Sequence, residues 1–258
     1  MIYVGTSGYS YDDWIGPFYP PNLPQKEWLG FYAREFQTTE LNVTYYRQPT
    51  RPMMERIAEK VPGGFRFTVK LNQKLTHERE ATREDFQTFR EGIEPLLEAG
   101  KLGCILAQFP WSFRPGAESW AYLQRLREEL EDLPAVVEFR NAGWVQDETF
   151  EFLRREQLGF CSVDQPRLKG LMPPVAVATG PVAYVRFHGR NAAKWWQHEQ
   201  AWERYDYTYS EPELLEWIPK IRRLDQEAQE TYIFANNHWQ GQAVSAARQL
   251  KLLLERPA

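Results

Sequence analysis

Eight short apolar runs, rich in β-branched and aromatic residues, alternate with amphipathic stretches along this chain. Strands buried on both faces of a parallel sheet have that look. The runs are Ile2–Thr6, Thr38–Asn42, Phe65–Leu71, Gly103–Gln108, Ala135–Arg140, Gly159–Asp164, Val182–His188 and Thr231–Asn236. Between them, Glu27–Phe36 carries Trp28, Leu29, Tyr32, Ala33 and Phe36 at helical spacing, and Arg51–Lys60 sets Met53, Met54, Ile57 and Ala58 on one face. Arg83–Glu98, Ala117–Glu131, Asp147–Glu156, Glu211–Gln226 and Gln242–Glu255 read as helices in the same way. Such alternation predicts a parallel sheet with right-handed crossovers. Eight units favour closure into one TIM-barrel-like (β/α)8 domain spanning 1–258. An open doubly wound sheet is the alternative, but no Gly-x-Gly-x-x-Gly follows the first strand. Gln165–Pro181 has four prolines, two glycines and no helical face, so the helix after the sixth strand is expected to be missing.

A length of 258 residues suits a single barrel, with no linker or internal repeat to divide it. Aromatic residues make up 15% of the chain, too many to be wholly interior, so some are expected at the surface or in a pocket. The net charge of -4 gives no overall footprint for nucleic acid. Cys104 and Cys161 each sit in an apolar run without metal or redox spacing, and read as buried free thiols. The chain opens on a strand-like run with no leader, and no stretch has membrane-spanning length, so a cytoplasmic location with no membrane partner is expected.

In a parallel barrel the C-terminal strand ends share one face, and that face carries the active site. The predicted strands end in Ser7; Glu40 and Asn42; Lys70; Gln108; Glu138 and Arg140; Asp164; Arg186 and His188; and Asn236, Asn237 and His238. Polar strand ends alone mean little, because they meet water. Charges within strands mean more. Glu138 and Arg140 share a face at i and i+2, as do Tyr184, Arg186 and His188, and Lys70 is placed likewise. Buried charges are costly unless paired. An inner salt-bridge network, for instance Glu138 with Arg186 and Glu40 with Lys70, would satisfy them. A purely structural barrel would fill these layers with Val, Ile and Leu, so a ligand site is the better reading of the whole ring.

The segments Val4–Trp14, Pro17–Pro20, Glu40–Tyr46, Phe67–Lys70, Thr76-His77, Gln108–Pro110, Val137–Arg140 with Trp144, Tyr184–Arg190, Tyr205-x-Tyr207-x-Tyr209-Ser210 and Asn236–His238 resemble the motifs of the domain of unknown function 72, or YecE-like, family. They occur in one order over nearly the whole chain. The resemblance implies a TIM-barrel-like fold and kinship to metal-dependent barrels of the endonuclease IV-like group, but no reaction. Two positions depart from the family pattern. Phe109 stands where Leu is common, and Tyr9 where Trp is frequent.

Two functions follow from the ring. The first is an enzyme, of hydrolase or isomerase type, acting on a small anionic, sugar-like or nucleotide-like substrate. Glu40, Glu138 and Asp164 are its candidate acids and bases, and His188 its proton-transfer group near neutral pH. Arg140, Arg186, Arg190 and Lys70 would hold an anionic group, with Asn42, Gln108, Asn236 and Asn237 beside them. Tyr9, Trp14, Tyr45, Trp144, Trp195 and Trp196 would pack on a sugar or base. The second is a nucleic-acid-binding module, built on Arg186–Arg190, Lys194-Trp195-Trp196 and exposed aromatics as a stacking platform; the acidic total makes it the less favoured partner. The run Asn191–Tyr205 reads as a loop over the pocket. A divalent metal, as in an endonuclease-like barrel, is not favoured either. Only His77, His188, His198 and His238 are available, without a tight ligand motif, and His77 and His238 are expected to play supporting roles.

Overall fold

Side-chain alternation and strand pairing together close the sheet. In a computed structural model, which describes residues 1–256, β1 (Ile2–Ser7), β2 (Thr38–Leu41), β3 (Arg66–Lys70), β4 (Leu102–Gln108), β5 (Ala135–Glu138), β6 (Gly159–Asp164), β7 (Val182–Phe187) and β8 (Glu230–Ala235) form a closed barrel in chain order. Each strand is parallel to the next, and β8 returns to β1. The register sets Ser7 beside Glu40 and Gln108 beside Glu138, so polar strand ends meet at one level. The expected TIM-barrel-like (β/α)8 fold is therefore observed.

Below that level the interior is packed with rings. Tyr3 stacks on Tyr232 with centroids 5.0 Å apart, and Tyr184 lies against Tyr232 and Phe234. The barrel is thus a filled core with one open end, as eight-stranded barrels of this kind are. Around it run α1 (Trp28–Tyr32), α2 (Val43–Tyr46), α3 (Arg51–Glu59), α4 (Arg83–Glu98), α5 (Ala117–Leu130), α6 (Asp147–Arg155), α7 (Glu211–Leu215), α8 (Ile218–Glu227) and α9 (Gln242–Glu255). No helix lies between β6 and β7, as the proline-rich composition there predicts.

Three local departures from the sequence expectation bear on the site. The helix expected over Glu27–Phe36 is shorter, because residues 34 and 35 tighten into i→i+3 bonds to Phe31 and Tyr32. The helix expected over Glu211–Gln226 is broken in two. Pro219 starts a new helix, and Trp217 at the break turns its indole toward β6. After β3 the chain makes a single π-helical turn, Lys74–Glu78, closed by Arg79 in the left-handed region at φ 59°. Such turns are rare and are frequent at functional sites. Among the described residues no helix is long and apolar enough to cross a membrane.

Candidate functional site

Strand parity decides which polar side chains enter the barrel mouth. On β7, Tyr184 and Arg186 point inward, and His188 continues the same face. Arg186 reaches across the barrel to two carboxylates, 2.7 Å to Glu40 on β2 and 2.7 Å to Glu138 on β5. Its Nη2 also lies 3.3 Å from Ser7 Oγ. Glu40 accepts a second hydrogen bond from Tyr184 at 2.8 Å, and the Tyr184 hydroxyl shares another with Thr68 at 2.8 Å.

Glu138 is surrounded by donors, two of them cationic. Besides Arg186, Arg140 Nε lies 2.6 Å from its Oε1, and His188 Nε2 is 3.2 Å from the same oxygen. Burial alone would raise the Glu138 pKa. Arg140, Arg186 and His188 outweigh it and hold the carboxyl well below its usual range. The Asn236 amide sits 2.9 Å from His188 Nδ1, which leaves Nε2 as the protonated nitrogen facing Glu138. Burial, with Arg140 next, pushes His188 down to about 3 despite that carboxylate. Near neutral pH, Glu138 is therefore a fixed anion and His188 a neutral donor. Neither fits the acid–base role their residue types predict.

Lys70 is different. Arg186 takes the Glu40 carboxylate expected to pair with Lys70, and no carboxylate among the described residues lies within 4.0 Å of the amine. Its Nζ instead rests 4.2 Å from the centroid of the Tyr45 ring. Burial first, and Arg186 second, lower its pKa to about 7. Lys70 is thus the group in this ring that changes charge near neutrality.

Four of these side chains, Glu40, Lys70, Arg140 and Arg186, floor a cavity of about 450 Å³ walled by Tyr9, Tyr11, Tyr45, Tyr46, Tyr205 and His238, whereas Glu138 and His188, both fully buried, do not line it. Asn42, Gln108 and Asn236 also line it. A second space of about 320 Å³ continues from it past His77, Trp111, Trp195 and Trp196, and the two share Tyr45, Tyr46, Lys70, Gln108, Arg140 and Tyr205. At the outer rim, Tyr46 and Trp196 are 74% and 53% exposed, unusually open for such large rings. Trp195, by contrast, is buried and pinned by Arg204, whose Nε donates to its carbonyl at 3.0 Å. Burial, followed by Lys70 and Arg140, also lowers the His77 pKa, to about 4.

Several residues expected in the pocket lie elsewhere. Asp164 has the opposite parity and points outward between barrel and helices. It accepts from Arg190 at 2.9 and 2.7 Å, from Tyr209 at 2.7 Å and from the Trp217 indole at 2.6 Å. With its oxygens so occupied, it is no free acid or base, and Arg190 is no ligand cation. Gly189 makes the turn that allows this, at φ 86°, where an added Cβ would come within 2.8 Å of Tyr207. Asn237 is buried and donates to the Tyr207 carbonyl at 2.8 Å. Trp144 is fully buried in a stack with Phe139 and Phe113, its indole bonded to the Phe113 carbonyl at 2.8 Å. Trp14 is likewise interior.

Tyr11, Tyr46, Tyr205 and Trp111 were not foreseen as site residues. Tyr11 stacks on His238 with centroids 4.6 Å apart and donates to the Ser7 carbonyl at 2.6 Å. The tyrosine-rich segments at 45–46 and 205–209 carried the only signal, and spacing does not say which rings face the mouth. The four histidines do not converge. Among the described residues no group of three or more His, Cys, Asp or Glu side chains is placed to hold a metal ion.

The comparisons with known proteins agree with this architecture. The chain is 32% identical to the UPF0759 protein YunF of Bacillus subtilis, over 99% of this chain and 95% of that protein. It superposes on a DUF72 family protein from Thermotoga maritima with a TM-score of 0.91 at 42% identity, covering 99% of this chain and all of the other. A DUF72 family protein from Enterococcus faecalis gives 0.89 at 29% identity, covering 100% and 97% of the two chains. The family described as "Protein of unknown function DUF72" matches residues 3–258, and the chain belongs to it.

Proposed function

We propose that this protein is an enzyme acting on a small anionic substrate, with Lys70 as the group that moves a proton and Arg140 as the anion anchor. The observation that carries the reading is the unpaired lysine. Glu40 and Glu138 balance Arg140 and Arg186, so protonated Lys70 adds one uncompensated positive charge to the cavity, and a bound anion would neutralise it. The terminal nitrogens of Arg140 make no hydrogen bond to any described residue, although the group borders both spaces. They form a free fork of the kind that grips carboxylate or phosphate. The rings at the mouth supply faces for a sugar or a base.

Both carboxylates are tied to arginine. Acid–base cleavage by a carboxylate pair is therefore poorly served, and proton transfer of the isomerase type fits better than hydrolysis. A screen of sugar phosphates, nucleotides and hydroxy or keto acids by thermal stabilisation, followed by turnover assays, tests this. Lys70→Met should abolish turnover, and Arg140→Met should weaken binding by about tenfold or more. Turnover that survives in Lys70→Met would refute the assignment. The exposed Trp196 and Tyr46 also leave room for the nucleic-acid reading, which predicts affinity for a single-stranded oligonucleotide falling steeply with salt.

A further inference from the structure

The Lys70 amine has a second property besides its proton. It points into a cavity, lacks a carboxylate partner within 4.0 Å, and has the guanidiniums of Arg186 and Arg140 nearby, whose charge offsets the pull of the more distant contacts to Glu40 and Glu138. An amine so placed near another positive charge, and partly desolvated, is an activated nucleophile at neutral pH. No carboxylate partner holds its proton, and only the weaker pull of the Tyr45 ring face favours the charged form. Arg140 borders the same cavity and can hold one end of a ligand while the other end meets the amine.

From this geometry we infer that Lys70 forms an imine with a small aldehyde or ketone that carries a carboxylate or phosphate, the anionic group docking on Arg140. The inference rests on the reading of the cavity as an anion-binding enzyme site and specifies its substrate class. The neutral amine nitrogen adds to the carbonyl carbon. Its two hydrogens then leave with the carbonyl oxygen as water, a C=N bond forms, and a proton from solvent gives the iminium. No oxidant or reductant is consumed. The iminium draws electrons from the neighbouring carbon, so a proton lost there leaves an enamine.

Reductive trapping tests this. The intact protein is incubated separately with glyoxylate, pyruvate, dihydroxyacetone phosphate and ribose 5-phosphate in the presence of cyanoborohydride, which delivers hydride to an iminium and fixes it as a secondary amine. Intact mass and peptide mapping then locate the adduct. With at least one of the four, labelling at Lys70 should exceed that of an average surface lysine by about tenfold or more at pH 7.5, since an ordinary amine is almost wholly protonated there. The rate should fall as pH drops through about 7, and Lys70→Arg, which keeps the charge, should lose the adduct. Uniform labelling of surface lysines with all four compounds, with no excess at Lys70, overturns the imine. If Lys70→Met then still abolishes turnover, the proton-transfer reading survives alone. If Lys70→Met has no effect, both fall.

Discussion

Two buried carboxylate–guanidinium clusters sit at the strand ends, one inside the barrel and one just outside it. Inside, Glu138 gathers Arg140, Arg186 and His188 beneath a cavity of about 450 Å³. Outside, Asp164 gathers Arg190, Tyr209 and Trp217 in the seam between β6 and α8. Both pair their buried carboxylate with guanidinium, as buried charge requires. The difference lies at their edges. The outer cluster runs on into Glu213 and Glu216, more carboxylates that share Arg190. The inner one ends at Lys70 and at the free fork of Arg140. A satisfied cluster is a fastener, whereas an unfinished one is a receptor.

Substitution can break this contrast. Glu138→Gln leaves Arg140 and half of Arg186 without a counter-charge. It should cost about 3–5 kcal/mol of unfolding free energy and abolish ligand binding, as followed by chemical denaturation and calorimetry. Asp164→Asn removes charge-assisted hydrogen bonds, for a loss of about 1.5–3 kcal/mol, yet should leave ligand affinity within about twofold of the parent. An equal loss of ligand affinity in the two variants would erase the distinction.

Titration sharpens the comparison, because only the inner region holds histidines with depressed pKa values. His188, at about 3, and His77, at about 4, are neutral in the fold and bind a proton near 6.5 when unfolded. Stability should therefore be fully present above pH 6.5 and decline below it, by about 1.4 kcal/mol per pH unit for each group. Denaturant melts between pH 6.5 and 4.5 in the parent and in His188→Gln would check this, the variant showing the shallower slope. Lys70 acts at the other end: its penalty is present below pH 7 and relieved as pH rises toward 10.5, so stability should rise across that window. The smallest effect expected is that of Tyr45→Leu. It removes a cation–π contact of about 0.5–1 kcal/mol and should move the midpoint of Lys70 labelling to lower pH.

Much of this was legible in the sequence, because strands of period two with in-line charges force an inward face. Glu138, Arg140, Arg186 and His188 were found that way, and so was the missing helix after β6. Asp164 was misplaced for a physical reason. On a strand apolar on both sides, alternation does not say which side is in, and its true partners Tyr209 and Trp217 lie 45 and 53 residues away. Trp144 misled similarly, since a tryptophan near a strand end stacks as readily behind the sheet as before the pocket. The most informative feature, the solitude of Lys70, was invisible to pattern. It follows from one long arginine claiming both glutamates, a matter of reach across the barrel rather than of spacing along the chain.

That reach also bears on how the barrel is assembled. Glu40 arrives on β2 and Glu138 on β5, but the guanidinium that joins them comes on β7. A chain folded only through β6 would face two carboxylates inward with Arg140 and Lys70, but not the bridging Arg186, to answer them. Burying them in that state is costly, so partial barrels are poor resting places. The site is therefore complete only once β7 has paired with both neighbours and closed the wall.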